Sequence, residues 1–419
     1  METVAAERSS EQFPIARNTA LLSASLAAVS GMLQLGAAIA TLTFVAVTGL
    51  DTLLGLGPAI LLATGALAAL PAGRLMDRVG RIPVLASGYV IGLAGCGLTA
   101  LGAHADSTAS LMAGLVCVGT ANGVTFLTRT AAGDMYPPER RARGISLVLF
   151  GAVFGAILGP AVFSPLFSGK DVARDTLAVA WLAGGGFLIA GLVLVLLVRP
   201  DPKRIAERIG PVSTAPTVPA APLREILRRP GVIPALLAAL ASFGVMVSVM
   251  NLTGYVVVHE HGHTQSAVFP IIGAHVLGMY ALVLVVGSFI DRIGRTPCLA
   301  GGLAIMAACC AGLVWAESVP LTGFLLFGLG LGWNLSFVAA TTQMVDLASP
   351  VERGKLLGFN DLCSGFLGAG LALVGGVALE DVGVAAMAIG AAAIALLPVL
   401  WITRRGRRDE PALASMIDR

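Results

Sequence analysis

Gly73-Arg74-Leu75-Met76-Asp77-Arg78-Val79-Gly80-Arg81-Ile82-Pro83 is a short basic turn between two apolar runs, each long enough to cross a bilayer. It returns as Gly287-Ser288-Phe289-Ile290-Asp291-Arg292-Ile293-Gly294-Arg295-Thr296-Pro297. Gly, Asp-Arg, Gly-Arg and Pro keep their spacing, and every matched position is displaced by 214 residues. A repeat half a chain apart marks two copies of one membrane unit.

The composition agrees. Of 419 residues, 56% are hydrophobic and 12% charged, against about 25% charged in a soluble domain. A water-soluble fold cannot hide that much apolar surface, so the surplus faces lipid. A net charge of +3 is too small to argue for a nucleic-acid partner. All six cysteines fall in apolar runs without CxxC spacing and read as small buried residues. His259-Glu260-His261-Gly262-His263 lies between two runs and reads as a solvated loop; no metal site is expected. The absence of a GxxxxGK[ST] loop argues against ATP as the driving force, and neither an enzyme nor a cofactor is expected. The first eighteen residues are polar, and the run after them is too long for the core of a cleavable signal, so it reads as a membrane helix.

Twelve apolar runs appear, at about 19–46, 52–73, 83–103, 110–132, 144–167 and 176–198, then 232–257, 266–289, 297–316, 319–343, 356–379 and 383–402. Inside a bilayer the backbone must satisfy its own hydrogen bonds, so each is expected to be a helix. The expected fold is an all-α membrane protein of twelve transmembrane helices in two pseudo-symmetric six-helix bundles. Residues 1–18 form an N-tail, 19–198 and 232–402 the bundles, 199–231 a proline-rich extended linker, and 403–419 a C-tail. With the N-terminus inside, every Lys and Arg except Lys170 and Arg174 falls on the cytoplasmic side, which places both termini in the cytoplasm of a multi-pass cell-membrane protein. Many of the 52 glycines lie in the helices, where small residues let backbones approach.

In each turn, Gly73 or Gly287 would let neighbouring helices pack closely. Asp77 and Asp291 place an anion at a helix end, and Arg78, Arg81, Arg292 and Arg295 can pair with acids at adjacent ends. Gly80 and Gly294 complete the pattern. Such contacts could hold one face shut and break on rocking.

Twelve helices in two halves, with G-x-x-x-D-R-x-G-R after the second helix and again after the eighth, resemble the major facilitator superfamily over about residues 17–404. The resemblance implies a central cavity and alternating access by rocking of the bundles. By position it implies that Asp77 faces the start of the eleventh helix, that Arg81 pairs with Asp134, and that Arg295 pairs with Asp346. The exit of the fourth helix, Asp134 to Gly144, is mirrored by Asp346 to Lys355, Asp346 being displaced by 212 residues. Gly151, Gly155, Gly159 and Pro160 in the fifth helix are similar to the family's antiporter signature, seen in exporters. The chain departs from the family's drug exporters in the fourth helix, which has no mid-membrane arginine. Arg129 lies one to two turns later, where it is a candidate partner for Asp77 or Asp134.

The candidates for carrying a proton are His275, the one histidine inside an apolar run, and Asp361, the deepest acid. Around His275, Gly273 to Tyr280 resembles a pattern in a poorly characterised bacterial branch of the superfamily, as does Gly330 to Phe337. The candidates for lining a substrate cavity are Gln34, Asn122, Asn251, Trp333, Asn334 and Asn360. So few polar groups suit a hydrophobic or amphipathic compound better than a sugar, since each unpaired buried polar group costs about 1–3 kcal/mol. The expected activity is secondary transport by a bacterial monomer, with a small-molecule substrate and a proton as coupling ion. Export of small hydrophobic compounds is favoured. Uptake of a small metabolite or organic anion is the first alternative, and a lipid-handling or sensor protein on the same fold is the second.

Overall fold

The computed structural model describes the backbone of residues 14–137, 140–168, 173–209 and 221–417. Residues 1–13 of the N-tail, residues 210–220 of the linker, Lys170 and the side chain of Asp291 lie outside the described residues, as do the side chains beyond residue 400.

All regular structure among the described residues is helical. The first six spans are Ile15–Thr48, Leu56–Val79, Arg81–His104, Thr108–Thr125 continued by Thr128–Asp134, Arg141–Phe167 and Arg174–Leu196. The second six are Val232–Tyr255, Val268–Tyr280 continued by Val283–Ile293, Arg295–Gly312, Val319–Leu347, Pro350–Val382 and Val384–Ile417. By length and composition, ten of these spans can cross a bilayer, the fourth taken with its break; the others are the divided eighth and the twelfth, whose apolar part runs Val384–Leu400.

The sequence predicts unbroken fourth and eighth spans, and both are broken. At the fourth, the Thr125 hydroxyl donates to Ala121 O at 2.8 Å and the Thr128 hydroxyl to Thr125 O at 2.7 Å. These bonds compete with the main-chain ladder where it is interrupted. At the eighth, the Asn334 side-chain amide donates to Met279 O, the carbonyl that an unbroken helix would offer to Val283. The linker also differs from an extended strand: its described ends form two short helices, Pro202–Ile209 and Leu223–Arg228.

The repeated turns share one backbone. Gly80 (φ 108°) and Gly294 (φ 100°) each end one helix and begin the next. An L side chain is strained at that φ, which explains glycine at both copies.

The first and seventh spans are 78% and 72% buried over their apolar windows, against at most 56% for the other eight of those ten, so these two stand at the centre. Close packing there depends on small residues. A Cβ on Gly155 would sit 2.5 Å from Ala27 O, and one on Gly159 would sit 2.9 Å from the Gln34 amide, so the fifth-span glycines form a groove filled by the first span. In lipid no hydrophobic force brings helices together, and this contact supplies dispersion instead.

The halves meet tightly on the face away from the repeated turns. Gly254 packs on Ala38 O, and Gly55 packs on the backbone of Ala372. Gln265 donates to Ala38 O at 3.2 Å, Ser164 to Ser266 O at 3.0 Å and Thr41 to Asn251 O at 3.4 Å.

Candidate functional site

Between the halves lies a cavity of about 70 Å³. The first span supplies Leu26, Ser30, Leu33 and Gln34, and the eighth supplies Ile272, Val276, Met279 and Tyr280; Phe126, Ala152 and Met250 complete the wall. Polar groups are few. Gln34 donates to Gly155 O, and its Oε1 has no partner among the described residues.

Behind the Phe126 wall, toward the turns, an ion pair crosses the halves: Arg129 Nη2 lies 2.8 Å from Asp361 Oδ2. The Arg129 guanidinium also sits 4.3 Å from the centre of the Phe126 ring, a cation–π contact that steadies it. The fourth-span break puts Phe126 and Arg129 here. The expectation that Arg129 partners Asp77 or Asp134 is therefore corrected: those acids bind Arg81, and Arg129 is drawn to the unbalanced acid on the opposite half.

Of the expected cavity residues, Gln34 reaches the wall, and the others lie outside it. Asn251 bonds its own helix at Val247 O, 2.7 Å away. Asn334 ties the tenth span to the eighth, and Asn360 donates to Asp361 Oδ1 at 3.3 Å. Trp333 stacks on Phe337, with ring centres 5.2 Å apart, and meets Tyr280 edge-on at 6.0 Å, one ring behind the wall. Asn122 is half-buried, its carbonyl accepting from Phe126 N at 3.0 Å. His275 is fully buried within the second half, with Nδ1 2.8 Å from Leu326 O of the tenth span. Sequence reasoning missed Tyr280, Phe126 and the methionines because apolar cavity walls and apolar cores read alike.

At the first turn, Arg81 holds Asp134 at 2.8 Å, Asp77 at 3.0 Å and Met76 O at 2.8 Å. Asp77 is 72% exposed and turns onto Arg81 within its own turn, and among the described residues the implied contact with the start of the eleventh span is not made. At the second turn, Arg295 lies 3.2 Å from Asp346. Arg78 and Arg292 are exposed. Gly73 and Gly287 do not serve close packing as expected, since a Cβ on either meets nothing within 4 Å.

Asp201 and Glu352 are further residues that sequence reasoning missed. Asp201 accepts from the backbone N–H of Arg81 (3.1 Å), Ile82 (2.9 Å) and Lys203 (2.8 Å), and Lys203 Nζ donates to Asp77 O and Arg78 O. The first turn of the linker thus caps both helix ends with charges of the favourable sign. Asp before Pro202 was a legible helix cap, but the reach to Arg81 was not. At the other linker end, Glu352 accepts from Arg229 (2.7 and 2.9 Å), Ala221 N and Ser349 N. Arg229, and after it Ser349, hold its carboxyl well below the usual carboxylate range.

Two helical bundles around a shared cavity, with small-residue packing and a cross-half ion pair, define a membrane carrier. The chain belongs to the Major Facilitator Superfamily, whose profile matches residues 19–373 and 270–416. It is 30% identical over 367 residues to the uncharacterised MFS-type transporter YdeG of Bacillus subtilis (strain 168), covering 86% of this chain and 85% of that one. It is 32% identical over 313 residues to the riboflavin transporter RfnT of Brucella anthropi, covering 71% and 72%. Its fold matches the inward-open xylose transporter XylE from E. coli with a TM-score of 0.70 at 14% identity, covering 93% and 95%. It is a transporter and not an enzyme.

Proposed function

We propose that the protein exports small hydrophobic or amphipathic compounds in exchange for protons, with both termini in the cytoplasm. The observation that carries this reading is the apolar cavity shared by the halves, with Arg129–Asp361 next to its Phe126 wall. A mostly apolar wall with one amide, Gln34, and two hydroxyls, Ser30 and Tyr280, suits a compound with little to hydrogen-bond. In this reading a proton on Asp361 would remove the charge that holds Arg129 and so release the ion pair joining the halves on this side; of the two proton candidates, Asp361 is the one at the junction. The fifth-span glycines are seated on the first span, and their likeness to the family's antiporter signature favours exchange over uptake. The repeated turns act as gates around this junction.

The test is accumulation of an amphipathic dye in inverted membrane vesicles energised with an acid interior. Accumulation should collapse when the gradient is dissipated and should be lost in Asp361→Asn. Accumulation indifferent to the gradient would overturn proton coupling.

A second reading is uptake of a small organic anion or heteroaromatic metabolite. Arg129 beside the Phe126 ring offers a cation and an aromatic face, and a riboflavin transporter is among the relatives. Uptake by whole cells, with none into inverted vesicles, would select it.

A further inference from the structure

A second recess, a groove of about 580 Å³, lies at the boundary between linker and membrane. It is bounded by the short helix Leu223–Arg228 and by Pro230, Ile233 and Pro234 at the start of the seventh span. The short helix has two sides. Ile226 is buried, and Arg229 just beyond the helix turns inward to Glu352. Arg224 and Arg228 are exposed, line the groove and meet no carboxylate among the described residues. Four apart on a helix, they project as neighbours on one face. The acid in between, Glu225, is exposed and adds its field to that around Arg229.

The opposite wall is apolar and continues outward. Leu237, one turn beyond Ile233, is 41% exposed on a span that crosses the bilayer. The groove therefore begins at two arginines that meet no carboxylate among the described residues and leads to the exposed Leu237 on the first turns of the seventh span.

We propose that this groove binds one anionic phospholipid. Its phosphate sits between Arg224 and Arg228, and an acyl chain follows Leu227, Ile233 and Leu237. The chemistry is an anion joined to a long apolar chain. Arg pairs with phosphate through two parallel N–H donors, and basic recesses at the membrane edge select anionic headgroups. A soluble phosphate would use the cations and leave the apolar wall empty.

Native mass spectrometry of the purified full-length protein tests this, with phosphatidylglycerol, phosphatidylcholine or glycerol 3-phosphate added in turn. One phosphatidylglycerol should be retained at least about tenfold better than phosphatidylcholine, and glycerol 3-phosphate should not be retained. Arg224→Gln with Arg228→Gln should abolish the preference, and the corresponding double Lys variant should keep most of it. Ile233→Asn should weaken retention by several-fold with both arginines intact. Equal retention of the two lipids, a preference that survives the double Gln variant, or glycerol 3-phosphate held as firmly as the lipid would each overturn the proposal.

Discussion

The two halves carry the same turn but set it differently. In the first copy, Arg81 is 12% exposed and grips Asp134 and Asp77. Asp201 and Lys203 cap the helix ends that the turn joins. In the second copy, Arg295 is 31% exposed and stands 3.2 Å from an Asp346 that is 52% exposed. Among the described residues, the most enclosed ion pair of the second half lies elsewhere, at the start of the eleventh span, where Glu352 is 5% exposed beside Arg229. The difference lies in the linker. Its first end docks on the turn of the first half, and its second end docks on the tenth-to-eleventh corner of the second. A repeated sequence thus gives a repeated backbone but not a repeated environment.

The largest expected effect tests that asymmetry at the turns. Arg81→Gln should lower transport at least about tenfold and destabilise the protein by about 1–3 kcal/mol, the range for a charge-assisted hydrogen bond left unmade. Arg295→Gln, more exposed, should cost well under about 1 kcal/mol, in the range of a surface pair. Thermal unfolding and vesicle flux measure both; equal losses would break the comparison.

Next, Glu352→Gln should free the second linker end, seen as faster tryptic cleavage after Arg224, Arg228 and Arg229. The carboxyl is depressed in the folded state, so its contribution is complete above the ordinary carboxylate pKa of about 4.3. It is lost only as the pH falls through the lower folded value. Wild-type resistance to pepsin, which works in acid, should therefore persist at about pH 4, while the variant should be cleaved across the range.

Asp201→Ala removes a cap and should destabilise the first half by about 1 kcal/mol. Asp201→Asn should do so by less, since it keeps an acceptor and loses only the charge beside the helix end. Hydrogen exchange at Ile82 separates the two variants.

The smallest effects concern glycine. Gly73→Ala and Gly287→Ala enter open space in helices and should leave stability unchanged or raise it by up to about 1 kcal/mol. Gly80→Ala should lower it by about 1–2 kcal/mol, because φ there is 108° and Asp201 stands 2.8 Å from the added carbon. A destabilised Gly73→Ala would show that the first turn packs more closely than its geometry indicates.

What the sequence determined by itself is the architecture. A run of about 20 apolar residues has one stable form in lipid, because no water is present to satisfy an open backbone. Twelve such runs, and a turn repeated at constant displacement, left little freedom in fold or family. The pairing of Arg81 with Asp134 was legible only through the resemblance to the superfamily, which implied it by position. The tertiary structure alone decided which side chains face the cavity and which ions meet across the halves. Gln34 and Asn251 look alike in sequence, as polar residues in apolar helices, yet one borders the cavity and the other bonds its own backbone. Arg129 found Asp361, a residue 232 positions away, because the broken fourth span and the packing of the halves brought them together. Local pattern fixes what a segment becomes in lipid; which neighbour a side chain meets depends on how whole helices pack, and no short stretch of sequence encodes that.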